Sequence, residues 1–495
     1  MTRGSEGSAR VAIIGGGFGG IAAAVKLQQR GIEDVTIFEA GERPGGTWWH
    51  NRYPGCEVDI PSLCYSFSFM AYDWPSTHGS RDELLAYTDA VVERFGLLPR
   101  FRLSTRVAAA KWQEDEGEWL LTLADGSTER FRFVVSALGL LSNPKLPDWP
   151  GLEHFRGIAF HTSDWDRAPD LTGKRVAVVG TGSTAVQVVP GIAEEAGHVT
   201  VFQRQPGWVL PKGERPYTPA ERERYRRGRL RFVIDRWRAF HAAFKPTGFQ
   251  AGTPDNLAMQ AACRGYIEAT IEDPATRAAV TPDYPWGCKR PVFSTTFYPT
   301  LNRENVMLVA KAVTRVTDRG VVDADGAEHE ADVIVMSTGF QPTRFLSTLA
   351  VTGPGGRDLQ DAFSDRPTAY LGVTVPGFPN LFILYGPNTN GGYAITSMLE
   401  RQAEVAARRI RTAIRRNATV DTSERATARW TAWVEQQIEE NMSAGNDPGC
   451  TNYYHSSSGA NVTQWPLSAF QYWRVTRFPS PGAYRYEVRR RRARG

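Results

Sequence analysis

With 495 residues, 41% of them hydrophobic and 22% charged, the chain has the composition of a soluble globular protein of roughly two to four domains. No apolar run reaches the ~18–20 residues that cross a bilayer, and Met1 to Arg10 is polar, so neither a membrane span nor a secretory leader is expected. The net charge of +5 raises nucleic acid as a partner, but eight lysines against fifty arginines point to codon usage, and no nucleic-acid surface is expected.

The first element is RVAIIGGGFGGIAAAVKLQQRG, a short apolar strand, then Gly15-x-Gly17-x-x-Gly20, then a helix that begins with small residues. Glycines at this spacing permit a tight turn, a close approach to a pyrophosphate and packing of helix on strand. The helix N-terminus offers free N–H groups to the phosphates. Gly15, Gly17, Phe18 and Gly20 are the candidate contacts. The next strand, VTIF, ends in Glu39, nineteen residues beyond Gly20, where a carboxylate accepts from ribose hydroxyls.

The unit then recurs. KRVAVVGTGSTAVQVV supplies Gly180-x-Gly182-x-x-Ala185, and the following strand is VTVFQR. Laid on VTIFEA, Glu39 falls opposite Gln203, and Arg204 follows. The carboxylate that would repel a ribose 2′-phosphate is missing, and a guanidinium able to fork onto one stands beside the gap. The first loop therefore reads as an FAD site and the second as an NADPH site; a plain surface arginine after a strand is the competing reading of Arg204. Two dinucleotide sites in one chain point to redox chemistry.

FRFVVSALG (Phe131 to Gly139) and ADVIVMSTG (Ala331 to Gly339) are each an apolar strand running into a small-residue turn, and each returns the chain to its sheet. The expected organisation is α/β, with two Rossmann-like domains of parallel sheet and crossover helices. Residues 1–147 form the first part of an FAD domain. Residues 148–340 form an NADP domain with a helical insertion at about 217–281. Residues 341–495 hold a linker and the second part of the FAD domain, with a late loop and a basic tail. Within the insertion, Leu230, Val233, Ile234, Trp237, Phe240 and Phe244 recur at helical spacing, which predicts an amphipathic helix with a solvated basic face. Five scattered cysteines (Cys56, Cys64, Cys263, Cys288, Cys450) show no CxxC and no metal spacing, so reduced thiols in a cytoplasm and no metal are expected. The tail VRRRRARG is expected to be disordered.

Between the two glycine loops stands Phe155-x-Gly157-x-x-x-His161-x-x-x-Trp165-Asp166, and after the first loop come Gly45-Gly46-x-Trp48, Tyr53-Pro54-Gly55 and Asp59. On these motifs the chain resembles the type I Baeyer–Villiger monooxygenases, class B flavoproteins that use FAD and NADPH. The resemblance runs from Arg10 to about Trp473 and is weakest between Pro211 and Thr281.

The resemblance implies an NADPH-dependent enzyme that inserts one atom of O2 next to a carbonyl, ketone or aldehyde to ester or lactone, through a flavin C4a-peroxide kept anionic. Arg290, in GCKRPVF, matches the family's catalytic arginine, whose charge stabilises that anion without supplying a proton. Asp59 matches the carboxylate that pairs with it, and Lys289 the lysine that helps hold the 2′-phosphate. Gly46, Thr47, Trp48, Asp59, Tyr65 and Val107 fall on flavin-contact positions; Thr181, Gly182, Ser183, Thr184 and Gln187 fall on NADP pyrophosphate positions. For Trp48 and Trp49 ordinary aromatic packing is the competing reading. In the family the Phe155–Asp166 motif links the two nucleotide domains, with His161 coupling their movement. Tyr453 stands where many relatives have a tryptophan, a departure that bears on the shape of the substrate pocket. Three alternatives remain open on sequence: nitrogen or sulfur oxygenation by the same flavin, an electron-transfer or oxidase flavoprotein that no longer oxygenates, and a non-catalytic binding protein on a vestigial fold. Substrate identity and oligomeric state are not legible.

Overall fold

The computed structural model describes residues 9–243, 246–391 and 394–488. Phe244 and the arginine run after Val488 lie outside the described residues. No helix among the described residues is long and apolar enough to cross a membrane, and no metal-binding group of His, Cys, Asp or Glu is found among them.

Two five-stranded parallel sheets organise the chain. In the first, Val11–Ile14 lies between Val35–Phe38 and Phe133–Ser136; Phe101–Arg102 and Leu381–Ile383 form the edges. In the second, the order is Val306–Val309, His198–Phe202, Arg175–Val179, Val333–Met336, Ile158–His161. The central strands are short and buried along their whole length, as continuous apolar runs covered on both faces should be. Helix Phe18–Gln28 packs on the first sheet and against the long helix Ile395–Arg415, and its small residues allow that approach. The opposite face carries a four-stranded sheet whose Trp112, Trp119 and Leu121 pack on Ala12, Ile14 and Val134. A three-stranded antiparallel sheet covers the equivalent face of the second sheet. The duplication read from the glycine loops thus extends to the layers around them.

Two crossings join the sheets, and they run side by side. Lys145 N–H donates to Gly339 O (2.8 Å) and Gln341 N–H to Asn143 O (2.9 Å). Four helices, Pro219–Arg227, Arg229–Ala243, Pro254–Thr270 and Pro274–Val280, occupy the expected insertion.

Two sequence expectations are corrected. The basic amphipathic helix breaks at Gly228, and its second half turns the start of the predicted stripe outward, with Leu230 75% exposed and Trp237 61%, while Phe240 packs against the core. Phe232 is buried instead, edge-on to Tyr225, and the guanidinium of Arg236 donates inward to Ser66 O at 3.0 Å. Periodicity places residues on a face but does not say which face the next layer covers, and here a polar anchor decides. The expectation of five reduced thiols also fails. Cys288 and Cys450 form a disulfide with a Cα–Cα distance of 6.4 Å, joining two loops that meet beside Trp208, Tyr284 and Trp286. Cys56, Cys64 and Cys263 are free and buried.

Candidate active site

The first glycine loop is a steric necessity. A Cβ on Gly15, at φ +108°, would lie 2.5 Å from Ala137 O, and one on Gly20 would lie 1.9 Å from Gly15 O. Gly46, at φ +55°, abuts Gly17: its Cβ would sit 2.8 Å from the Gly17 Cα. The helix from Phe18 begins with no side-chain cap and no acid in its first turn. By contrast, the helices from Arg81 and Pro219 both open with capping boxes. The uncapped end leaves donors and a positive dipole end for an anion. Glu39 is buried, and its carboxylate accepts from Gly16 N–H (2.6 Å) and Gly41 N–H (2.7 Å). Burial opposes its ionisation, but these bonds and His50 outweigh burial and hold its carboxyl below the usual range. The segment leading to Val107 is tied alongside, with Thr105 N–H donating to Glu39 O at 2.8 Å. Trp48 is buried and donates to Tyr65 OH at 3.2 Å, and Phe18 meets the Tyr65 ring edge-on; Thr47 is exposed. Trp49 is clasped by Arg43 and Arg52. Uncapped helix, ionised ribose acceptor and aromatic wall fit FAD.

The second loop repeats the geometry. Gly180, at φ +118°, has no room for a Cβ, which would stand 2.4 Å from Ser337 O, and the helix from Ala185 is again uncapped and free of acid. Thr181, Gly182, Ser183 and Thr184 line the turn with part of their surface open. Gln187 does something else. Its amide accepts from Tyr53 OH (3.2 Å) and donates to Glu57 O (3.0 Å), so it fastens this helix to the other nucleotide unit. A Cβ on Gly55 would come 2.7 Å from Gln187 O, and one on Gly191 2.7 Å from Pro54 Cβ, so glycine is needed on both sides of that contact.

Arg204 is exposed and has no carboxylate partner among the described residues. Lys289 lies near it. Burial first, and then the charge of Arg204, lower the Lys289 ammonium to about 8. Two cations that repel each other at the end of a nucleotide-loop strand fit a phosphate dianion, as NADP would bring to this loop.

Arg290 and Asp59, 231 positions apart, meet: Nη2 donates to both carboxylate oxygens at 2.8 and 2.7 Å. Asp59 first, against the pull of burial, raises the guanidinium's pKa further, so it stays charged. The Arg290 side chain is 44% exposed, whereas that of Asp59 is 12% exposed, so the guanidinium is open to a ligand and its anchor is not. Tyr453, Tyr385 and Tyr454 stand within its electrostatic reach, and burial pushes the phenols of Tyr385 and Tyr454 up from their usual range.

The linking motif sits where the two sheets are joined. A Cβ on Gly157 would be 2.2 Å from Asp332 O and 2.6 Å from the Phe155 ring. His161 Nδ1 accepts from Ser163 N–H (3.1 Å), so Nε2 carries the proton and donates to Gly339 O (3.0 Å), the carbonyl that also accepts from Lys145. Burial lowers its pKa and favours this neutral form. Trp165 packs edge-on to Phe160, and Asp166 pairs with Arg52 at 2.9 Å. The motif therefore touches both crossings and both nucleotide units.

Sequence reasoning did not single out Tyr385, Asn390, Lys212 or Glu57. Tyr385 has φ +64°, its N–H donates to Gln402 Oε1 (2.7 Å) and its hydroxyl to Asn390 Oδ1 (2.7 Å). It follows Leu381–Ile383, and the carboxyl end of a parallel strand was the available signal. The Lys212 side chain, 1% exposed, pairs with Glu57 across the units.

The model of the flavin-binding monooxygenase-like family matches residues 8–222. A Baeyer–Villiger monooxygenase of Streptomyces coelicolor is 38% identical over 475 residues, covering 94% of this chain and 91% of its own. One from Pseudomonas aeruginosa is 37% identical, covering 96% and 91%. Among solved structures, cyclohexanone monooxygenase from Rhodococcus sp. Phi1 bound to NADP+ superposes with a TM-score of 0.84 at 31% identity over 97% of this chain and 99% of that one. Oxidized steroid monooxygenase bound to NADP gives a TM-score of 0.85 at 29% identity with the same coverage. Motifs, junction and backbone agree, and the chain belongs to the Baeyer–Villiger monooxygenase family of flavin-dependent enzymes.

Proposed function

We propose that this enzyme inserts one atom of O2 next to a carbonyl, turning a ketone or aldehyde into an ester or lactone, with Arg290 as its fixed cation. The Arg290–Asp59 pair carries the reading, because two residues singled out by different motifs and 231 positions apart meet in one ion pair. FAD, held at the Gly15–Gly20 loop with Glu39 on its ribose, would supply oxygen-activating chemistry, and NADPH at the Thr181–Thr184 loop would supply hydride. Arg290 cannot give up a proton at neutral pH, so it stabilises an anionic oxygen without quenching it. Asp59 fixes the guanidinium's direction. The neutral phenols of Tyr453 and Tyr454 offer further donors to negative oxygen, while the Tyr385 hydroxyl is already given to Asn390. Arg204 and Lys289 select the 2′-phosphate. His161 and the Arg52–Asp166 pair keep the two nucleotide units in register while the hinge moves. We assign residues 1–147 and 341–495 to FAD and 148–340 to NADP. The cytoplasm is the compartment proposed.

The test is a panel of ketones and aldehydes offered to the purified flavin-loaded enzyme with NADPH and 18O2. The expected result is carbonyl-dependent NADPH consumption and a product heavier by one labelled oxygen, with a new C–O bond by NMR. Label appearing only on thioethers or amines overturns the assignment.

A further inference from the structure

We propose that Cys288 and Cys450 form a thiol–disulfide exchange site, a latch that fastens the Asp447–Thr451 loop over the 2′-phosphate cations and opens when a dithiol reduces it. The inference rests on the reading of Lys289, Arg290 and Arg204 given above and adds a covalent control to that site.

The placement carries it. Cys288 directly precedes Lys289 and Arg290 and is fully buried; Cys450 lies on a half-buried loop, three residues before Tyr453. Their Cα atoms are 6.4 Å apart, within the range a disulfide spans without backbone movement. The same loop is held on its other flank by Gln205, the neighbour of Arg204. Gln205 Nε2 donates to Gly449 O (2.7 Å), and its Oε1 accepts from Thr451 N–H (3.3 Å). Short of the bond, then, the loop is docked on this side by one glutamine amide and by Cys288 itself, whose sulfur is 3.8 Å from Asp447 O. Beyond Tyr454 the chain is pinned separately, with Val462 N–H on Tyr454 O at 3.1 Å and Asn390 N–H on Thr463 O at 2.8 Å. Asn452 bounds the part that can move: its Nδ2 donates to Gly445 O (2.9 Å) and its Oδ1 accepts from Tyr454 N–H (3.0 Å), so the five residues Asp447–Thr451 lift when the bond opens and loosen the cover beside Arg204 and Lys289. The sulfur of Cys263, buried in the same cluster, is kept protonated because burial pushes its thiol up to about 12, so it is a poor rival for the exchange.

The chemistry balances with a dithiol as reductant. One thiolate attacks Cys450 Sγ, the more open of the two sulfurs. The Sγ–Sγ bond breaks, and its electron pair leaves on Cys288, which takes up a proton. The second thiol of the reductant then displaces Cys450 from the mixed disulfide. The protein gains two electrons and two protons, and the dithiol becomes a cyclic disulfide.

The experiment uses the full-length flavin-loaded enzyme, equilibrated with oxidised or with reduced dithiothreitol, then denatured, alkylated and weighed. Three alkylated cysteines are expected in the oxidised form and five in the reduced form, with peptide mapping locating the change to Cys288 and Cys450. NADP+ release, followed by stopped flow, should be roughly tenfold faster after reduction, the size expected when a contact worth one or two hydrogen bonds is lost. Cys450→Ser and Cys288→Ser should release NADP+ at the fast rate in both buffers. Five alkylated thiols at every dithiol ratio overturn the exchange site. A bond that forms while NADP+ release stays unchanged in all three proteins overturns the latch. The thiol count does not depend on oxygenation, so an enzyme that exchanges the bond but makes no ester refutes the proposed function and leaves the latch standing.

Discussion

Replacement of Arg204 by alanine tests the cofactor assignment most directly. A charge-assisted hydrogen bond to phosphate contributes about 1.5–3 kcal/mol. Arg204 is exposed, and screening puts it at the low end, about 1.5 kcal/mol, or roughly tenfold in the KM for NADPH. Lys289 is half-buried and less screened, so Lys289→Met should cost about 2 kcal/mol, some thirtyfold. The two act on one phosphate, so the double variant should lose less than the product of the single effects. NADH has no 2′-phosphate, and its KM should move by less than about twofold in either variant. A pH arm sharpens the test. The Lys289 ammonium titrates at about 8 in the cofactor-free site, so the KM for NADPH should climb above that pH, while Lys289→Met should remove the climb. Steady-state consumption of NADPH and of NADH at saturating carbonyl substrate supplies these constants. Equal losses for NADPH and NADH would refute the reasoning, because they would place both cations on the shared part of the cofactor.

Arg290→Ala should keep its flavin spectrum yet lose about 10²–10³ in ester formation by gas chromatography, the loss seen when a preorganised oxyanion donor is removed; unchanged turnover would count against it. His161→Ala breaks the bond to Gly339 O and should slow turnover while isothermal titration shows unaltered nucleotide affinity; loss of flavin would make it a folding residue. Gly157→Ala forces a Cβ to within 2.2 Å of Asp332 O and should cost about 1–3 kcal/mol, read as a lower Tm. His78, lowered to about 4 by burial and then by the Lys212 charge, takes its proton later in the folded than in the unfolded chain. Stability should therefore fall as pH drops from about 6.5 towards 4, by about 1–2 kcal/mol after allowance for solvent screening, and His78→Asn should flatten that slope in thermal melts at stepped pH.

Local patterns made the two nucleotide loops legible, since a strand, a glycine turn and a helix are contiguous and each glycine answers a clash within its own unit. Gln203 and Arg204 were legible for the same reason, being aligned by the repeat itself. The Arg290–Asp59 pair came from the family resemblance, and only the folded chain brings the two together. Partnerships across the hinge were hidden: Arg52 with Asp166, Lys212 with Glu57, and the two amide bonds of Gln187 join segments whose spacing carries no period. Cys288 and Cys450, separated by 162 positions, resemble any two isolated thiols until the loops are folded. Leu230 and Trp237 show the remaining limit, because helical spacing defines a stripe and leaves its direction to whatever packs alongside.

The interruption of the first sheet has a consequence for synthesis. Ser136 and Leu381 are 245 positions apart, yet their strands are neighbours, while every strand of the second sheet lies between Ile158 and Met336. At about 5–20 residues per second, the nascent chain holds Phe133–Ser136 with a bare edge for some tens of seconds before its neighbour leaves the ribosome. The nicotinamide half can mature during that wait, and the flavin cradle is closed last, so ribosome stalling after Gly339 should leave a half-protein that needs chaperone cover for one strand.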